Sequence, residues 1–127
     1  MAGEMVWIDL EMTGLDLDNE SIIEIATIIT DAELNIIAEG PNLAITVSED
    51  LLAGMDEWNT THHHASGLVD RIRTEGVSLE EATKQTCAFI SANIEIGKAP
   101  LCGNSIHNDR TFLAKEMPEV RELLAVL

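Results

Sequence analysis

The sequence contains no tyrosine, and aromatic residues make up only 3% of its 127 positions. A core must therefore be built from Ile, Leu, Val, Ala and Met, and any surface that stacks on flat ligands has to be small. Basic residues are also scarce: seven Lys and Arg against 23 Asp and Glu give a formal net charge of −16. Such a charge repels a long polyanion and argues against tracking along extended nucleic acid, whereas a very short oligonucleotide can be met locally through divalent cations. No apolar run approaches the roughly 20 residues that span a bilayer, and Met1-Ala2-Gly3-Glu4 has neither a basic nor an apolar leader pattern. The expectation is a cytoplasmic chain without membrane contact. Cys87 and Cys102 lack CxxC spacing and read as reduced, buried thiols.

What is present suits one domain over residues 1–127, since 46% of the residues are hydrophobic. Residues 5–10 form a short apolar run ended by Thr13-Gly14, and the isoleucine-rich run 22–30 favours a buried strand through its β-branching. Residues 36–47 return as a third strand, which Gly40-Pro41 marks as bulged or at a sheet edge. The three runs follow too closely for a crossover helix, so they form an antiparallel meander. Residues 49–55 read as a short helix, and Ser78 with Glu81 forms a capping box for a helix that Gly97 stops. Leu79, Ala82, Thr86, Phe89, Ile90 and Ile94 recur along that helix at helical spacing and should cover the sheet. Residues 100–103 suggest a crossover strand. Residues 106–117 suggest a helix with Phe112 and Leu113 inward, and Pro118 starts another at its first position. The fold class is therefore α/β, a mixed sheet covered by helices, with ligands expected near Asp9 and Gly103 at the strand ends.

Within Trp7-Ile8-Asp9-Leu10-Glu11, the two acids are two residues apart and share one face of an extended chain, with Cα atoms about 7 Å apart. Two carboxylates in apolar surroundings cost several kcal/mol or bind a proton unless a cation joins them. Oxygen ligands of this kind suit Mg²⁺ or Mn²⁺, although Glu11 at the end of the strand could equally lie in water. Asp109 belongs to the first turn of a helix, where the helix dipole favours a negative charge whatever its use. The exit Gly103-Asn104-Ser105 could also bring Asp109 to the sheet edge that carries Asp9. Adjacent side chains in His62-His63-His64 do not converge on one ion, so zinc is not expected there, and His107 reads as a solvent-facing polar residue.

The segments WIDLEMTGLD, IIEIATIITDAELNIIAEGP, MDEWN followed by HASGLV, and GNSIHNDRTFLAKEMPE, in this order, resemble the oligoribonuclease family of the DEDDh exonuclease superfamily. The likeness extends over nearly the whole chain. It implies a ribonuclease H-like fold, cytoplasmic homodimers, and removal of nucleotides from the 3′ ends of very short RNAs with two Mg²⁺ or Mn²⁺ ions. By matching position, it implies that Asp9, Glu11 and Asp109 are the catalytic metal ligands. Leu15 and Trp58 would flank the bases of a dinucleotide, and His63 and Ser105 would touch the substrate. Trp58 lies in the polar run 56–59, where a core tryptophan is not expected, although it could also cap a surface helix.

Two departures from the family pattern accompany the likeness. The third motif, a His followed five residues later by an Asp, is not found in residues 1–127, so the resemblance is to a C-terminally incomplete exonuclease domain of impaired activity. In place of a family His-Tyr-Arg stands Ala125-Val126-Leu127, which puts short-substrate preference and dimerisation in doubt. The alternative reading is a catalytically silent module that binds metal or oligonucleotide, and a third is an acidic α/β interaction domain.

Overall fold

The computed structural model describes residues 3–103 and 105–125, so the readings that fall on Asn104, Val126 and Leu127 lie outside the described residues. Strands β1 (Met5–Met12), β2 (Ile22–Thr30) and β3 (Ile36–Ala44) are followed by helices α1 (Glu49–Ala53), α2 (Glu57–Ala65), α3 (Leu68–Glu75) and α4 (Leu79–Asn93). Strand β4 (Leu101–Cys102) and helices α5 (Ile106–Glu116) and α6 (Pro118–Glu122) complete the order. The sheet runs β3-β2-β1-β4, with antiparallel pairing across the first three strands and β4 parallel to β1. The expected meander and crossover strand are both present.

β1 decides the layout of the sheet. Val6, Ile8, Leu10 and Met12 are buried, while Asp9 is exposed and Trp7 and Glu11 are half-buried on the opposite face. β1 continues two residues beyond the predicted end, so Glu11 lies inside the strand and not in the water past its tip. On β2, the register slips by one residue opposite Glu11 and Met12. This bulge lets the adjacent Ile22 and Ile23 both be buried without sharing a cluster. Ile22 joins the main core with Phe112, Leu113 and Met117, and Ile23 packs with Leu52, Met55, Leu68, Val69 and Ile72 of the α1–α3 region. β3 is an edge strand with extra residues around Gly40-Pro41, as the glycine and proline suggested.

The helix over 79–93 begins as predicted, with Ser78 accepting from the Glu81 N–H at 3.0 Å. The reciprocal half of the capping box is replaced, because the Glu81 carboxylate accepts from Gln85 Nε2 at 2.8 Å. The helix ends earlier than Gly97: Ile94 turns extended and packs against the main core, and the Gly97 N–H reaches the Leu123 carbonyl at 2.8 Å. Cys87 and Cys102 are free but only half-buried, and burial raises both thiol pKa values. Residues 56–76, unassigned from the sequence, form α2 and α3. Only His63 of α2 is buried, so α2 carries no apolar period, whereas Leu68, Val69 and Ile72 gave α3 a legible one. Among the described residues no helix is long and apolar enough to cross a membrane.

Gly40 shows how tightly α4 lies on the sheet. A Cβ there would sit 2.6 Å from two ring carbons of Phe89 and 2.8 Å from the Thr27 carbonyl oxygen. Gly40→Ala is expected to destabilise the chain by about 1–3 kcal/mol, measured as a lowered urea midpoint. Adding Phe89→Leu should restore part of the loss, and an unchanged midpoint in Gly40→Ala would contradict this packing.

Candidate functional site

Asp9 and Glu11 face outward because their neighbours Ile8 and Leu10 are taken by the core. Asp109 reaches the same neighbourhood from α5 by similar logic. Phe112 and Leu113 are buried, and the residue three to four positions before them lies on the same helix face. Asp109 is accordingly only 2% exposed. The exit from β4 has to be small: a Cβ on Gly103 would lie 2.8 Å from the Ile8 carbonyl oxygen and 3.6 Å from Asp109 Oδ2. Gly103 thus lets the chain pass against β1 and enter α5 beside the strand acids.

The three acids are electrostatically coupled. Burial, followed by the charges of Asp9 and then Glu11, pushes the Asp109 carboxyl up to about 6. Burial also raises Glu11, with Asp9 adding to the rise and His63 and His62 pulling the other way. Among the described residues, no hydrogen-bond donor reaches the carboxylates of Asp9, Glu11 or Asp109. Acids gathered without a compensating donor are a donor set for a hard divalent ion, so the residues present fit such an ion. The three carboxylates are still set wider than one tight cluster. Among the described residues, the group of three possible ligands whose ligand atoms all lie within 4.8 Å of one another is Glu11, His62 and His63. The expectation that adjacent histidines could not converge on one ion is thereby corrected: on α2 the two rings lie edge to face, 5.3 Å apart at their centroids, and both approach Glu11.

A cleft of about 440 Å³ runs between β1, the loop after it, α2 and α5. Glu11, Leu15, Trp58, Ser105 and Asp109 all line it, joined by Leu10, Met12, Gly14, Asp56, Asn59 and Asn108. Asp9 faces a second hollow, of about 260 Å³, with Trp7, Ala26, Ile28 and Gly103. Leu15 is 70% and Trp58 66% exposed, large apolar groups outside both buried core clusters. The Leu15 loop is fixed from within, where Thr13 Oγ1 donates to Glu20 and the Asp16 carboxylate accepts from the Asp18 N–H and Asn19, and from α5, where Lys115 Nζ meets the Leu17 carbonyl. Asp56 caps α2 by accepting from the Asn59 N–H at 2.8 Å, which sets Trp58 at the rim, stacked on His62 at 4.7 Å. His63 differs from the other residues implied to bind substrate. It is buried, and its Nε2 lies 2.9 Å from the Met12 carbonyl oxygen. Ser105 is exposed at the N-cap of α5, and its side chain makes no capping bond. His107 is exposed, as expected.

Asp56, Asn59, Asn108 and His62 belong to this region and were not singled out from the sequence. Asp56 carried a usable signal, an acid three residues before Asn59 at a helix start. The others are polar residues whose direction depends on helix phase.

Known proteins resemble this chain in sequence and in fold. The exonuclease family pattern matches residues 6–127. The oligoribonuclease of Alcanivorax borkumensis is 59% identical over 116 residues, covering 91% of this chain and 64% of that protein. The oligoribonuclease of Shewanella frigidimarina is 53% identical over 121 residues, covering 95% of this chain and 67% of the relative. The chain thus spans just under two thirds of the length of the Alcanivorax relative. Among solved structures, exonuclease I in its apo form superposes with a TM-score of 0.72 at 16% identity, covering 94% of this chain and 25% of that one. E. coli exonuclease I in complex with a dT13 oligonucleotide gives a TM-score of 0.70 at 17% identity, covering 93% and 24% respectively. At that identity the likeness establishes the fold, a ribonuclease H-like mixed sheet.

The raised Asp109 pKa has a consequence for stability. In the unfolded chain this carboxyl titrates near its ordinary 3.8, and in the folded chain near 6. The folded state therefore binds the proton more tightly, and this contribution is complete below about pH 4 and lost as pH rises through about 6. Each pKa unit is about 1.4 kcal/mol, and screening by water in the cleft reduces the total. Without divalent ions, Asp109→Asn is expected to stabilise the chain at pH 7 by about 1–2 kcal/mol and to flatten its pH dependence between 4 and 6. Urea unfolding in EDTA at several pH values measures this, and parallel curves for the two proteins would contradict it.

Proposed function

The chain belongs to the exonuclease family, in its oligoribonuclease branch, and on that premise we propose that it is the front part of a metal-dependent 3′→5′ exoribonuclease acting on very short RNAs. The observation that carries the proposal is the single cleft in which Glu11, Leu15, Trp58, Ser105 and Asp109 meet. Asp9, Glu11 and Asp109 are the residues that would bind two divalent ions, Mg²⁺ or Mn²⁺, whose contribution is to neutralise a phosphodiester and activate water. The remaining residues bind and orient. Leu15 and Trp58, both exposed at the cleft, offer apolar and aromatic surface on which bases can lie. Ser105 presents a free hydroxyl at the start of the 11-residue helix α5, where N–H groups favour a phosphate. His63 is buried behind the cleft lining, where it holds the Met12 carbonyl with one ring nitrogen and so positions the end of β1 beside the substrate surface.

Substrate length follows from size and charge. A cleft of about 440 Å³ suits a short substrate, and a net charge of −16 repels whatever strand continues beyond it. That the curated relatives are oligoribonucleases and that one exonuclease I neighbour is described with a bound zinc ion supports a metal-dependent reading. Residues 1–127 supply neither the His nor the last Asp of the family's third motif. The proposed activity of this chain on its own is therefore reduced by at least the 10²–10⁴-fold that a general base typically contributes, about as much as separates slow turnover from none. The second reading, a silent module that binds metal or oligonucleotide, rests on the same cleft without turnover.

Incubation of the chain with a labelled RNA dinucleotide and Mn²⁺, beside Asp9→Ala, separates these readings. Slow hydrolysis abolished by Asp9→Ala supports the nuclease, binding without hydrolysis supports the silent module, and neither outcome would refute both. Trp58→Ala is expected to weaken dinucleotide binding by roughly 5- to 100-fold, the loss of one stacked base, without changing the urea midpoint. Unchanged affinity in that variant would remove Trp58 from the substrate surface.

A further inference from the structure

Beside the three strand and helix acids, a different donor set converges. The ligand atoms of Glu11, His62 and His63 all lie within 4.8 Å of one another. His63 is only 1% exposed, and its Nε2 lies 2.9 Å from the Met12 carbonyl oxygen. A carbonyl oxygen can only accept, so Nε2 carries the proton and Nδ1 keeps its lone pair. That Nδ1 is buried and has no hydrogen-bond partner among the described residues. A buried polar atom without a partner is costly, and this one belongs to a residue whose ring lies beside the Glu11 carboxylate. An imidazole whose one N–H is pinned on a backbone carbonyl while the other nitrogen stays open is the arrangement that metal-ligating histidines adopt. His62 follows one position earlier on α2, exposed and free to turn, with its ring stacked on Trp58.

We propose that Glu11, His62 and His63 form a cation site of their own that takes one zinc-type ion, bound by two imidazole nitrogens and one carboxylate oxygen with the fourth position open to water. The donor set selects the ion: imidazole suits Zn²⁺, Co²⁺ and Ni²⁺, whereas Mg²⁺ keeps oxygen ligands. Tetrahedral bonds of about 2.0–2.1 Å place ligand atoms roughly 3.3 Å apart. Closing the trio to that spacing calls on the exposed His62 and the half-buried Glu11 to rotate, while the packed His63 stays in place. The site goes beyond the nuclease reading and stands without it. Where both hold, Zn²⁺ and Mg²⁺ contend for Glu11, so Zn²⁺ opposes the Mg²⁺-dependent reaction.

Calorimetric titration of the whole chain with Zn²⁺, and the visible spectrum with Co²⁺, test the site directly. The expected result is one ion per chain that a large excess of Mg²⁺ does not displace, with a Co²⁺ spectrum of tetrahedral intensity. His62→Ala and Glu11→Gln should each weaken binding roughly tenfold or more, while His64→Ala and Asp109→Asn should stay within about twofold. His62 is exposed, so its replacement leaves the fold intact, which circular dichroism checks. A loss in His64→Ala equal to that in His62→Ala would place the ion on the exposed histidine run and overturn the proposal. Competition by Mg²⁺ together with a loss in Asp109→Asn would place it among the carboxylates, and absence of Zn²⁺ binding would also overturn it. Failure of the nuclease reading shows separately, as absence of dinucleotide hydrolysis, and leaves the Zn²⁺ titration unaffected.

Discussion

The arrangement depends on the alternation of β1. Val6, Ile8, Leu10 and Met12 enter the main core, and the pleat then has no choice but to send Asp9 and Glu11 to the other face. A slip of one residue would bury both carboxylates and expose four apolar side chains, so burial of this one strand fixes the register of the acids. Its neighbours reinforce the position: β2 pairs along its whole length and β4 closes the other edge at Val6 and Trp7.

Around that strand, local irregularities shape the cleft. The bulge on β2 opposite Glu11 and Met12 feeds Ile23 into the α1–α3 cluster, and this packing seats α2 where Trp58 and His63 approach β1. The close passage at Gly103 plays the corresponding part on the other side by bringing Asp109 into range. The packing of the core and the electrostatics of the acid group are therefore linked: the core buries Asp109 beside two other carboxylates, and that burial, with their repulsion adding to it, raises its pKa. A cation bound there would relieve that repulsion, which would couple ion binding to stability.

Much of this was legible in the residues. β1, β2 and β3 announced themselves by apolar runs and β-branching, α4 by its cap and helical period, and α6 by its proline. Trp58 stood out as an aromatic residue in a polar run, and its exposure agrees. α2 was not legible, because a helix that buries one histidine has no apolar period to detect. The early end of α4 was missed because Gly97 looked like a stop, while the actual end is set by Ile94 turning into the core. The half-burial of both cysteines likewise depends on which neighbouring side chains happen to cover them.

The sequence by itself determined that two acids share a strand face, that a third sits in a helix turn with Phe112 and Leu113 on its own side, and that the sheet is mixed. These follow from periods of two and 3.6 residues, which are local properties of the backbone. Only the tertiary structure decided that the two faces meet, that Leu15 and Trp58 border the same cleft, and that His62 and His63 turn toward Glu11. Those outcomes depend on the helix phase of α2 and on a one-residue bulge, quantities set by packing between segments distant in the chain that no spacing along it records.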